Sequence, residues 1–379
     1  MIEFFVTMKI LWYSSYFLPY VSGITTTTRH IVDYLGKKHK ISLLTFLHDQ
    51  SLKKEEQMGK IRVFRMPWNF KVSKGFISFS SLSYFFHRVK VNDIVVINLP
   101  NVEALLMALI AKLSGRKVIV LYHCDVHLVG GIGSLIITAV VRLATFIQLV
   151  LSDVIVSYPD YLSDHWYSEF FQRKLKTCFP IADPPIVERS FQKKLLSQKG
   201  DEIWIGFAGR IAREKGIEYL IEAVHLLKEK LPIKLIFVGP EAVGEETYRQ
   251  KINGLLKEHS ISHRFLGMLS RPQLGAFYKT VDVVAVPSVN KTEAISIVQI
   301  EAMLEGTPVV ATSLPGVRLP IQKTGMGILV APCDSKSLAS AIQLVMKKEA
   351  SFATEEKIKK ANELFSKQKI FSFYDSLLQ

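Results

Sequence analysis

The sequence predicts an α/β protein made of two doubly wound, parallel-sheet domains. Short β-rich runs alternate with helical patterns along the chain. The order strand, glycine-containing turn, helix opens the chain near Lys9 and opens again near Ile203. Between the two openings lies an irregular stretch, FPIADPPIVE, followed by the polar QKKLLSQKGDE. That shift of composition sets the domain boundary, giving domains at 1–190 and 191–366. With 379 residues, 49% of them apolar, the chain has enough material for two cores.

In the first half, Lys9 to Ser14 reads as a buried strand, the loop YFLPYVSG follows, and a helix runs from about Ile24 to Leu35. Gly23 at the end of that loop permits close approach of backbone to a ligand or an unusual dihedral, and the run Thr25 to Thr28 offers caps or hydroxyls. Strands are expected at Ile41 to Leu47, Ile61 to Arg65, Ile94 to Asn98 and Val118 to Tyr122, with a helix over Val102 to Leu113. Ligands of such sheets bind beyond the carboxyl ends of the strands. His123 stands immediately after VIVLY and is a candidate on that ground.

Residues 130–151 form the most apolar run. Arg142 and Gln148 interrupt it, so it reads first as a buried helix; a helix lying on a membrane surface and a true span are the alternatives. Gly131 and Gly133 copy part of a dinucleotide fingerprint, but Ile136 holds the third glycine position and the match fails. Asp153 to Ser157 is a further short strand. Residues 1–7 lack the features of a signal peptide and read either as a short extension or as a start placed too early, ahead of Met8.

Net charge is +14, with an excess of Lys and Arg in both halves, which invites nucleic acid or an anionic membrane as partner. Neither a zinc spacing, an RNA-binding aromatic signature nor a basic recognition helix supports nucleic acid. Cys124, Cys178 and Cys333 are far apart and form no metal-ligand spacing or disulfide ladder, as expected for a reducing cytoplasm.

The second half offers the stronger chemistry. The strand Ile203 to Phe207 runs into GRIAREKG, where Gly209, Arg210, Lys215 and Gly216 precede a helix from Ile217 to Leu231. Glycines that open the backbone and cations at a helix N-terminus suit a diphosphate. Ser270 and Gln273 fit a capping box for a helix through Tyr278. A strand at Val281 to Val286 then delivers the chain into SVNKTEAISIVQIEAMLEGTPVVATSLPG, residues 288–316. This stretch places Glu293 before a helix that starts near Ile295 or Ser296, and Glu301 inside it; Gly306 and Pro308 end the helix. Fully helical, the two acids would stand about 12 Å apart with a dipole-positive helix end between them. A nucleotide-sugar, with hydroxyls at both ends and phosphate in the middle, has that span; a surface helix with two solvated carboxylates is the alternative, and the pair alone favours it.

Four segments in order, GFAGRIAREKGIEYLIEA, FLGMLSRPQLGAFYKTVDVVAVPS, TEAISIVQIEAMLEGTPVVAT with its following PG, and GMGILVAPCD, resemble the retaining glycosyltransferases of family four. The resemblance covers nearly all of the C-terminal half. It implies the GT-B fold: two facing Rossmann-like domains, the first binding the acceptor and the second the donor, with a final helix, FSFYDSLL within 367–379, crossing back to the first. It also implies that Arg210 and Lys215 hold the donor diphosphate, Glu301 the ribose hydroxyls, and that Glu293 faces the transferred sugar. Backbone at Ser296 and Ile297 would meet the pyrophosphate and sugar, the turn at Gly267 and Met268 the nucleobase, and His123 the donor sugar and phosphate. Gly209 and Gly23 line the donor loops by the same likeness. Ser296 stands where relatives commonly carry glycine, and Ser22 where they carry the first of a glycine pair.

The expected reaction is transfer of a hexose from a nucleoside-diphosphate sugar to an acceptor hydroxyl with retention. No two aspartates are separated by one residue, so metal-independent chemistry without a cofactor is expected. Two rivals stand beside it: a sugar-nucleotide epimerase, and a non-enzymatic basic binding module. The expected partners are the donor and a glycan or lipid-linked acceptor, without nucleic acid. The segment Pro67 to Lys90, which mixes aromatics with cations, reads as a membrane contact or as core-packed helix and loop. The expected location is the cytoplasm, at the inner face of the membrane if that contact is made.

Overall fold

A computed structural model describes residues 7–72, 75–126, 132–162, 165–182, 186–242, 245–290 and 293–378. Residues 1–6, Gly131 of the rejected fingerprint, and 183–185 of the proline-rich stretch lie outside them. The chain divides into two compact units, Met1–Ile181 with Gln368–Gln379, and Ala182–Lys367.

The sheet of the first unit has eight strands. In spatial order they are Leu175–Thr177, Val154–Ser157, Lys117–Tyr122, Ile94–Leu99, Lys9–Tyr13, Lys40–Phe46, Ile61–Met66 and Glu55–Met58. All pairings are parallel except the last, where Glu55–Met58 runs antiparallel to Ile61–Met66. Central strands such as IVVINL are buried along their whole length, because helices cover both faces of a parallel sheet. The helix Gly23–Leu35 is capped by Ser22 together with the first residue of the threonine run: Ser22 Oγ accepts from the Thr25 amide while Thr25 Oγ1 accepts from the Ser22 amide. The closing helix Lys367–Leu378 buries Ile370, Tyr374 and Leu377 in this unit's core. Its Phe371 ring stacks on Tyr34 at 4.0 Å between centroids, and its Asp375 pairs with Lys38 at 2.7 Å.

The second unit holds six parallel strands in the order His263–Gly267, Ile233–Val238, Ile203–Ala208, Val283–Val286, Val309–Thr312 and Gly327–Val330. Numbered along the chain this is 3-2-1-4-5-6, the Rossmann order, whose direction reverses between Ile203–Ala208 and Val283–Val286. The crevice beyond the carboxyl ends of these two strands is the predicted ligand position.

Two expectations need correction here. QKKLLSQKGDE, read with FPIADPPIVE as the domain boundary, lies inside the second unit: Arg189–Lys199 is a helix that packs on Arg271–Thr280, and Lys199 Nζ bonds the Thr280 carbonyl at 2.9 Å and Asp282 at 2.6 Å. Leu195 is its one fully buried apolar side chain, so its composition resembles a loop, and the units divide at Ile181 rather than near 190. The apolar run is not a buried helix either. Ile132–Leu151 buries Thr138, Thr145, Gln148 and Leu149 but exposes most of its Ile, Leu and Val side chains.

Candidate functional site

At the switch point of the second unit, the turn after Ile203–Ala208 and the loop after Val283–Val286 are locked together. Gly216 is in the left-handed region with φ of 61°, and a Cβ there would lie 2.3 Å from the Pro287 carbonyl oxygen. The amide of Val289 donates to the Glu214 carbonyl at 3.0 Å. Only glycine at 216 allows this approach, and its effect is to bring Lys215 onto Glu293. Lys215 Nζ lies 2.7 Å from both carboxylate oxygens, and Ser288 Oγ donates to Glu293 Oε2 at 2.6 Å.

Lysine has three N–H donors, so one remains beyond the two that Glu293 takes. Arg210, half exposed, gives one N–H to Glu214 at 2.8 Å. Gly209, Gly239 and Gly267 form a backbone chain across neighbouring strand ends: the Gly209 amide donates to Val238 and the Gly239 amide to Gly267. Bare backbone and unfilled cation donors at the rim of a Rossmann sheet can accommodate an anion.

Ser296 is the N-cap of the helix Ile297–Leu304, which begins one or two residues later than expected; its hydroxyl makes no capping bond. Glu293 is therefore in the preceding loop, where the full helical spacing does not apply. That loop is fixed from behind by Gly316, where a Cβ would lie 1.9 Å from the Ala294 carbonyl oxygen. Gly316→Ala is expected to displace the loop and lower the unfolding midpoint by several degrees; an unchanged midpoint in calorimetry would contradict the packing argument.

Glu301 is buried and holds a different set of partners. Its Oε1 accepts from Arg271 Nη1 at 2.9 Å and its Oε2 from the Tyr278 hydroxyl at 3.0 Å. Burial pushes its carboxyl above the ordinary range, against the pull of the Arg271 charge and the Tyr278 bond. Arg271 and Tyr278 were not singled out from sequence. They sit seven residues apart on a helix whose capping box was legible, so two turns put them on one face.

In the first unit, His123 is buried and lines a small cavity with Tyr122, Tyr158, Cys178 and Tyr374. Burial lowers its pKa to about 4, so the ring is neutral at physiological pH; Nδ1 lies 3.3 Å from the Tyr158 hydroxyl. Two residues on, Asp125 accepts from His165 Nε2 at 2.8 Å, from Tyr161 at 3.2 Å and from Tyr122. Burial raises the Asp125 carboxyl, but the bonds from His165 and Tyr122 outweigh it and hold it below the usual range. This cluster was missed because its members are spread over some forty residues. Gly23 is the first residue of its helix, with open space where a Cβ would stand. Met268 is well exposed beside Gly267, whose φ is 68°.

Residues 188–365 match the family model described as Glycosyl transferases group 1. An uncharacterized glycosyltransferase of Methanocaldococcus jannaschii is 35% identical over 156 residues, 41% of this chain and 38% of that protein. A D-inositol 3-phosphate glycosyltransferase of Corynebacterium urealyticum is 39% identical over 145 residues, 36% of this chain and 33% of that one. The chain thus spans little more than a third of the length of these curated relatives. Among solved structures, Anabaena HepE in complex with UDP superposes with a TM-score of 0.78 at 18% identity, covering 98% of this chain and 99% of that one. At that identity the likeness concerns the fold, and the fold is GT-B, with two Rossmann-like domains, as expected from sequence.

Proposed function

We propose that the chain is a retaining glycosyltransferase that moves a hexose from a nucleoside-diphosphate sugar to an acceptor hydroxyl. The carrying observation is the Lys215–Glu293 pair at the topological switch point, set among glycine backbone and beside Arg210. The match of this unit to group 1 glycosyl transferases, and the UDP bound by the similarly folded HepE, support it.

In this reading Arg210 and Lys215 stabilise the charge that develops on the departing diphosphate, aided by the amides at Ser296 and Ile297. The bond from the anomeric carbon to the diphosphate oxygen breaks while the acceptor oxygen forms its bond on the same face. The acceptor proton passes to the diphosphate, so no carboxylate nucleophile is needed, unlike the paired acids of retaining glycosidases. Glu293 orients the sugar, Glu301 binds the ribose, and Gly209 and Gly267 with Met268 border the nucleotide. The acceptor is a glycan or a lipid-linked glycan, and the location is cytoplasmic.

A thermal-shift panel with UDP, GDP and ADP, followed by donor with and without acceptor, tests this. One nucleotide is expected to raise the unfolding midpoint by several degrees, and turnover is expected to require an acceptor and to survive EDTA. Stabilisation by none of the three would overturn the donor site. Interconversion of the donor without acceptor would make the chain an epimerase, and loss of turnover with EDTA would overturn metal independence.

A further inference from the structure

The helix Ile132–Leu151 is amphipathic in the wrong sense for a water-facing helix. Its inward face carries Thr138, Thr145 and Gln148 beside Ala144 and Leu149, with Gln148 Nε2 bonded to the Asn101 carbonyl at 2.9 Å. Its outward stripe is Ile136, Val140, Leu143, Ile147 and Val150, at spacings of four and three residues. A helix turned towards water would carry these two sets the other way round.

The stripe does not stand alone. Ile132–Leu151 packs beside Ala104–Leu113, which packs in turn on Ser81–Val89. These two helices expose Leu106, Leu109 and Leu113, and Leu82 and Phe86. At the other edge, Phe146 stacks on Trp166, 85% exposed, with the exposed Phe170 beside it. One layer of the first unit therefore presents an apolar surface far more continuous than the scattered exposed side chains of ordinary surfaces.

Charge selects the occupant. The three helices contain no aspartate or glutamate, while Lys90 and Arg142 are exposed on or beside them; Lys112 is paired with Asp153. Lys90 Nζ lies 4.1 Å over the Phe86 ring, with its stem along apolar surface and its charge at the rim. Two copies joined through this face would bring cations together with no acid on the helices to meet them. A bilayer with anionic headgroups meets the cations and takes up the apolar and aromatic side chains at once. The inward face of Ile132–Leu151 is held by this unit from Thr138 to Leu149, so the helix lies in the interface plane and does not span.

We infer that this helical layer of the first unit, Ser81–Val89, Ala104–Leu113 and Ile132–Leu151 with Trp166, docks on an anionic lipid surface. The inference extends the membrane contact read from Pro67 to Lys90 to a larger surface, and it stands independently of the proposed reaction. The test is flotation of the full chain with phosphatidylcholine vesicles, with and without about a quarter phosphatidylglycerol, against the double variant Ile136→Asp, Leu143→Asp. Both positions are well exposed, so the variant is expected to keep its unfolding midpoint. The parent is expected to float with the anionic vesicles, less so at high salt, and the variant to lose more than tenfold in partition. Equal flotation of parent and variant, no flotation of the parent, or a vesicle-free dimer abolished by the same substitutions would overturn it. A UDP-induced shift is expected to be the same in both proteins; its absence from both would count against the donor site and leave the docking result intact.

Discussion

Lys215→Ala is expected to lower turnover by about 10²–10³-fold, the usual cost of removing one preorganised donor to developing negative charge. The same substitution has a structural cost. Glu293 is only 11% exposed and Lys215 only 21%, and removing Lys215 leaves the carboxylate with Ser288 as its partner among the described residues. Losses of about 3–5 kcal/mol are typical when a fully buried pair is broken, and this partly exposed pair should lose less. The double variant Lys215→Ala, Glu293→Gln separates the two effects. Neutralising residue 293 removes the stranded charge, so the unfolding midpoint is expected to recover towards that of the parent while turnover stays low. Recovery of both would mean that Lys215 serves only to hold Glu293, and the diphosphate role would fall. Arg210→Ala, whose guanidinium is half exposed and bonded to Glu214, is expected to reduce turnover without the structural cost.

Much of this site was legible in the chain because it is local. The GRIAREKG turn and the helix after Ser296 are each set by glycine and apolar spacing within a dozen residues. The left-handed Gly216 and Gly306 stand where a turn before a helix and a helix end require them. What pairs Lys215 with Glu293 is the approach of Gly216 to Pro287, some seventy residues apart, and no period in the sequence encodes it. The same holds for Glu301, whose partners come from another helix. Composition misled where it was uniform or sparse. Ile132–Leu151 is apolar nearly all round, and nothing in that pattern tells which side the sheet covers; the answer lies in three polar side chains that turn inward. Arg189–Lys199 and the edge strand Glu55–Met58 carry too few apolar residues to announce themselves, since each leans on a neighbour with little of its surface.

Glu301→Gln is expected to weaken nucleotide binding by about 10–100-fold, the worth of one or two hydrogen bonds to a charged acceptor. An ionised carboxylate has about four lone-pair sites. Arg271 and Tyr278 take one on each oxygen, which leaves one on each for a pair of neighbouring ribose hydroxyls. Glutamine keeps a single acceptor oxygen, for Arg271, and turns its amide donors towards the Tyr278 oxygen, which can accept. The fold is therefore expected to survive. The sign of the stability change follows from the raised carboxyl pKa of Glu301. A folded-state pKa above the unfolded one stabilises the fold when the group is protonated, below the ordinary carboxylate range, and that stabilisation is lost as pH rises through the folded pKa. At neutral pH the buried charge is thus a net cost that glutamine removes. The variant should match or exceed the parent's unfolding midpoint at pH 7, and the difference should shrink as pH falls towards the carboxylate range. Calorimetric affinity equal to the parent's would dismiss the ribose role. A variant less stable at pH 7 than the parent would mean that the Arg271 and Tyr278 bonds outweigh the burial of Glu301, so that its carboxylate is there for the fold and not for a ligand.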